Sequence, residues 1–146
     1  LVGGRMKTGP SLLIACALLV PAVHAAEHFC GQNKPHPIDQ ALAKAAERSG
    51  GVTVDMADAQ SAAWVAWDKE LNRLYTALQK KSGPERRDTL RAAQRAWLAY
   101  DQAQGHWDAA VHADQGTSAA LNIGGASLAR RRARVCDLQN TLDGLE

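Results

Sequence analysis

Residues 56–87 read MADAQSAAWVAWDKELNRLYTALQKKSGPERR, and their pattern decides the fold. From about Val54 to Lys81, the residues Met56, Ala63, Trp67, Leu71, Leu74 and Leu78 recur at steps of three, four or seven. That spacing lays apolar side chains along one stripe of an α-helix. Ser82-Gly83-Pro84-Glu85 then supplies Gly for a left-handed C-terminal turn, Pro for the first turn of a new helix, and Glu at that helix's positive end. The chain must reverse here. A further helix is predicted from Pro84 to about Gly105, with Leu90, Ala93, Trp97, Tyr100 and Trp107 on its inner face. An antiparallel hairpin turning at Gly83 sets Asn72 beside Gln94 or Arg95 and Asp68 beside Ala99, so the polar groups of the two helices meet.

On the N-terminal side, Ile38, Leu42 and Ala45 or Ala46 keep helical spacing until Ser49-Gly50-Gly51 stops the run, which predicts a short helix. Residues from Glu27 to His36 hold Gly, Asn and Pro without periodicity and read as an extended arm. Beyond Trp107, the polar, glycine-bearing stretch from Asp108 to Ser127 reads as one long loop with a weakly helical start at Ala109–His112. A last helix carries Leu128, Val135, Leu138, Leu142 and Leu145. No segment alternates like a strand. The fold class is therefore all-α: a small helical bundle built on a long antiparallel hairpin, with a short N-terminal helix and a C-terminal helix.

The first 25 residues read as a segment outside this domain. Met6-Lys7 is a short basic start, Leu12–Val20 (LLIACALLV) is an apolar run too short to span a bilayer, and Pro21 breaks it ahead of Val23-His24-Ala25. This is the order of a secretory signal peptide, with cleavage expected after Ala25 or Ala26, Met6 as the natural start and Leu1–Arg5 as upstream sequence. A rival reading takes Leu13-Ile14-Ala15-Cys16 as a lipoprotein box that would anchor the chain to a membrane through Cys16. Against it, only four apolar residues precede the cysteine and the run continues past it. Residues 26–146 form the single domain, exported to the periplasm or beyond. Without Arg5 and Lys7 it carries 15 basic and 15 acidic residues, a neutral balance with no overall footprint for nucleic acid or anionic lipid.

Export places Cys30 and Cys136 in an oxidising compartment, one near each end of the domain. A disulfide between them closes a loop of more than a hundred residues. The alternatives are two free buried thiols or a metal site, but His28, Cys30 and His36 match no zinc spacing and no second ligand cluster exists. No metal or other cofactor is expected. No nucleophile elbow, P-loop, zincin or dinucleotide motif is present, and Asp68 and Glu70 point to different sides of their helix. No acid, base and nucleophile come within reach of one another, so the chain reads as a binding protein and not an enzyme. Trp67 and Trp97 fall on apolar stripes and read as core, while Trp64 and Trp107 lie nearer the stripe edges. Arg130-Arg131-Arg132 with Arg134 wraps a helix and reads as a solvated face, or as a site for an acidic partner.

The stretch Trp67-Asp68-Lys69-Glu70-Leu71-Asn72-Arg73-Leu74-Tyr75, followed by Ala93-Gln94-Arg95-Ala96-Trp97-Leu98-Ala99-Tyr100, resembles the D-x-E-L-N-x-x-Y and A-Q-R-A-W signature of LprI-like lysozyme inhibitors. The match extends to Met56 upstream and to Cys136 and Thr141 downstream. Members of that family usually carry two more cysteines, expected near Ala59 and Gly105. Their joint loss here fits a missing pair, which leaves Cys30 and Cys136 as the other bridge. The family also tends to have Arg-Asp where this chain has Asp101-Gln102, and Arg at the place of Gly144.

The resemblance implies an exported all-α protein that blocks a lysozyme or another peptidoglycan hydrolase by occluding its cleft. Asp68, Glu70, Leu71, Asn72, Tyr75, Gln94, Arg95, Trp97 and Tyr100 are read as structural, with Asn72, Gln94 and Arg95 satisfying one another between the helices. The binding surface is expected on the long loop, at His112, Asp114, Gln115, Thr117 and Ser118, with Arg130 and Arg131 adjoining. Two other readings compete: an immunity protein against a rival's wall-degrading toxin, and an envelope structural or glycan-binding protein with Trp64 and Trp107 exposed for stacking on sugar.

Overall fold

A computed structural model describes residues 29–145, so the predicted signal peptide, its cleavage site and Cys16 lie outside the described residues. The described chain opens with a 3-10 turn, Phe29–Gly31, and continues as four helices: α1 (Pro37–Ser49), α2 (Thr53–Lys81), α3 (Pro84–Val111) and α4 (Ser118–Asp143). Among the described residues there is no strand, and the order of short helix, long hairpin and C-terminal helix is the one predicted.

Local chemistry sets the helix ends. His36 is extended and its Nδ1 accepts from the Ile38 N–H at 3.2 Å, while Pro37 fills the first helical position of α1. Gly50 ends α1 in the left-handed region at φ 56°, where its N–H reaches the Glu47 carbonyl. At the α2–α3 turn the predicted left-handed glycine does not occur. Ser82 and Gly83 are both extended, as Pro84 requires of the residue before it, and Pro84 opens α3.

The core is the predicted pair of stripes. Ala63, Trp67, Leu71, Leu74 and Leu78 of α2 and Leu128, Val135, Leu138 and Leu142 of α4 are all buried, with Phe29 of the arm among them. Leu145, predicted on the α4 stripe, instead follows Gly144 beyond the helix and is exposed. α2 is the central helix, packed mainly on α4 and then on α1. The side chain of Gln60 donates to the Leu121 carbonyl, Trp64 to Ser127, and Arg131 to Asp68, so residue numbers rise together and α2 and α4 run parallel. They approach closely through glycine. A Cβ on Gly124 would stand 2.8 Å from Gln60 Oε1.

Two boundaries differ from the sequence reading. α3 continues through Gly105 to Val111, and α4 begins at Ser118, so the loop between them is only His112–Thr117 rather than Asp108 to Ser127. Gly105, Gly124 and Gly125 read as breakers in isolation. In the fold they are helical, and two of them face Gln60 across the α2–α4 seam.

The arm is held twice. Cys30 and Cys136 form a disulfide with their Cα atoms 5.3 Å apart, as the export reading expected. Phe29 and His36 then stack with Trp67, at ring separations of 4.9 Å and 4.5 Å respectively.

Candidate functional site

The arginine cluster of α4 is not a solvated face. Arg130 bonds Asp101 and Asp108 of α3, and Arg131 bonds Asp68 of α2 at 2.6 Å and Asp101 at 2.9 Å. Arg132 forks onto Asp39 of α1, and both Arg134 Nε and Nη2 donate to Gln94 Oε1. Each consecutive residue of a helix points about 100° around it, so four arginines in five positions reach three different helices. Arg131 is the hub: only 6% exposed, its guanidinium carbon lies 4.4 Å from the Trp64 ring and 4.9 Å from the Trp97 ring. Hydrogen bonds from Arg130, with a second from Gln104, hold the Asp108 carboxyl below the usual carboxylate range.

α3 therefore docks through a polar stripe and not through the predicted apolar one. Gln94, Asp101 and Asp108 share one face with Trp97, and Gln94 and Asp108 are the buried residues of the helix. Tyr100 and Trp107, predicted to face inward, are exposed at 54% and 63%, and Ala93 is exposed as well. Trp67 is fully buried as predicted, whereas Trp97 is only half-buried, against the core and beneath Arg131. Where the family pattern has Arg-Asp, this chain has Asp101, which is the carboxylate shared by Arg130 and Arg131.

Because α3 leans on α4, it does not close on α2. Between them opens a cleft of about 320 Å³, lined by Asp68, Asn72 and Tyr75 of α2 and by Arg91, Gln94 and Arg95 of α3, with Arg131 also at its wall. The predicted register holds, since Asn72 and Arg95 line the same cleft, but the predicted mutual bonding does not. Asn72 donates to Asp68, and Gln94 is taken by Arg134. Arg95 is exposed and makes no hydrogen bond or ion pair with any described residue. Glu70 turns outward to Arg73 at 2.6 Å, and this hydrogen bond lowers its pKa.

The residues assigned from sequence to the loop divide. His112 Nδ1 lies 2.8 Å from Gln115 Oε1, Asn122 donates to the same oxygen, and Ser118 Oγ donates to the Gln115 carbonyl at 2.8 Å. Gln115 thus ties the six-residue loop to the first turn of α4, while Asp114 and Thr117 are exposed. Arg130 reaches this end of α3 through Asp108. Arg131 does not adjoin the loop: it lies thirteen residues into α4, roughly 20 Å along the helix, and turns inward. Up-down topology brings the α1–α2 turn to the same end, and four of the exposed large apolar side chains lie there: Val52, Val54, Trp107 and Val111. Trp64 is not available for sugar stacking with Trp107, because it lies against Arg131 and donates its N–H to Ser127.

No curated protein and no solved structure gives a significant match to this chain. The family model described as "Lysozyme inhibitor LprI" does match, over residues 43–141, which takes in most of α1, the whole α2–α3 hairpin with its cleft, the loop end and nearly all of α4. On that match the chain belongs to the LprI lysozyme inhibitor family.

Proposed function

We propose that this chain is an exported inhibitor of a peptidoglycan-cleaving lysozyme and that it acts by seating the loop end of its bundle in the enzyme's substrate groove. The observation that carries the surface is the exposure of Val52, Val54, Trp107 and Val111 at the end of the bundle that carries a short, internally bonded loop. Trp107 supplies the anchor, since tryptophan is among the side chains enriched at interface hot spots. The Gln115 bonds order the loop before binding, which lowers the entropy lost on docking. A lysozyme groove holds two carboxylates flanking the scissile bond, so an end offering an indole for contact and the His112 ring for hydrogen bonding suits it chemically. The family supports an inhibitor, and the signal-like N-terminal segment supports export.

Lysis of a cell-wall suspension by a panel of lysozymes, titrated with the chain and with its Trp107→Ala variant, tests this. Inhibition by the parent is expected, weakened in the variant by about 2 kcal/mol or more, roughly thirty-fold. A folded parent that inhibits none of the enzymes would overturn the reading, and an unaffected variant would move the surface elsewhere.

A further inference from the structure

The α2–α3 cleft lies outside the loop end and has a one-sided chemistry. Its one carboxylate is already used, since Asp68 takes hydrogen bonds from both Arg131 and Asn72. Its donors are not. Arg95 has no partner among the described residues. Gln94 is 8% exposed, and with its oxygen held by Arg134 its NH2 group finds no acceptor among the described residues. Arg131, 6% exposed, closes the back of the cleft with Nη1 and Nη2 spent on Asp68 and Asp101, so it offers no donor of its own.

The Gln94 amide and the Arg95 guanidinium, both with unused donors, line a single opening. An amide and a guanidinium side by side, each with N–H groups turned to solvent and no acceptor among the described residues, suit an acceptor supplied from outside. Leu71 and Leu98 add apolar wall, and the cleft volume of about 320 Å³ lies at the lower end of the range for small-ligand sites.

We propose that this cleft binds a short peptide through its terminal carboxylate, with the small apolar side chain of the last residue against Leu71 and Leu98. Arg95 takes the carboxylate, because a guanidinium presents paired donors that match its two oxygens. The Gln94 NH2 group donates to the peptide carbonyl behind it. One free cation suits a single negative charge, and the amide suits a backbone group. The other guanidinium at the rim, Arg91, is engaged with Asp88. This site is independent of the loop end, so the two proposals fail separately.

The probes are N-acetyl-alanyl-alanine in its all-L and all-D forms and the all-L carboxamide, titrated into isotope-labelled full domain and followed by heteronuclear NMR. Either free acid is expected to shift amides at Asp68–Tyr75 and Arg91–Leu98, with the carboxamide bound about tenfold more weakly or worse. The preferred stereoisomer assigns the source, a protein C-terminus for the L form or a wall-type stem peptide for the D form. Arg95→Gln is expected to weaken binding by about tenfold or more while Arg95→Lys retains part of it, and Lys44→Gln on α1 leaves it unchanged. No shift with any acid at millimolar concentration, equal binding of the carboxamide, or an unaffected Arg95→Gln variant would overturn the assignment. Arg95 makes no contact that folding needs, so loss of fold does not confuse the result.

Discussion

Replacing Arg131 by Met is expected to destabilise the fold by about 3 kcal/mol, the lower edge of what breaking a buried ion pair costs. The substitution removes the hydrogen bonds to Asp68 and Asp101 at 2.6 and 2.9 Å and the stacking on Trp64 and Trp97. Met keeps most of the aliphatic stem that packs between the indoles. Neither carboxylate is stranded completely: Asp101 keeps Arg130, and the Asp68 side chain is 34% exposed and keeps Asn72. Those two facts put the expected loss at the bottom of the range. For a domain of this size it lowers the melting temperature by about 10 °C. Arg73→Met is the control, because Arg73 is 58% exposed and its pair with Glu70 is worth about 0.5 kcal/mol. Urea unfolding, followed by circular dichroism and by tryptophan fluorescence and extrapolated linearly, measures both. A loss within 1 kcal/mol of the control, a margin comparable with extrapolation error, would show that the arginine hub does not hold α3 to the bundle.

Reducing the Cys30–Cys136 disulfide, which spans 106 residues, is expected to cost about 4–5 kcal/mol in the chain-entropy description, read as a lower urea midpoint with reductant present. His36 is held below its ordinary pKa by burial, against the opposing pull of Asp39 and Glu70, so the fold favours the neutral ring that accepts from Ile38. Its contribution is complete above the unfolded value of 6.5 and is lost as pH falls through the lower folded value. The parent should accordingly lose more stability on acidification than a His36→Asn variant, compared by thermal melts across that window. Trp107→Ala, at a side chain 63% exposed, is expected to shift stability by no more than about 0.5 kcal/mol, which separates its binding role from folding.

Apolar periodicity made α2 and the core half of α4 legible, because Trp67, Leu71, Leu74 and Leu78 repeat with nothing else competing for their face. It failed at α3 for a physical reason. That helix docks by charge, and Gln94, Asp101 and Asp108 repeat at steps of seven where a search for apolar residues finds nothing. The complementary signal was present in Arg130, Arg131, Arg132 and Arg134, four cations spread around one helix and answered by polar side chains on the three others. The loop was overestimated because Gly124 and Gly125 look like breakers, and only the close approach of Gln60 explains them. At the cleft, the register of Asn72 against Arg95 was readable from the turn. The gap between them was not, since it depends on α3 leaning toward α4.

The most direct test of the inhibitor reading is calorimetric titration of a lysozyme with this chain, run with the enzyme free and again with its substrate groove filled by a short chitooligosaccharide. Occlusion by the loop end requires one-to-one binding to the free enzyme and its loss when the groove is filled. Binding of equal strength to both forms would place the contact away from the groove, and a folded chain that binds neither would contradict inhibition of that enzyme altogether.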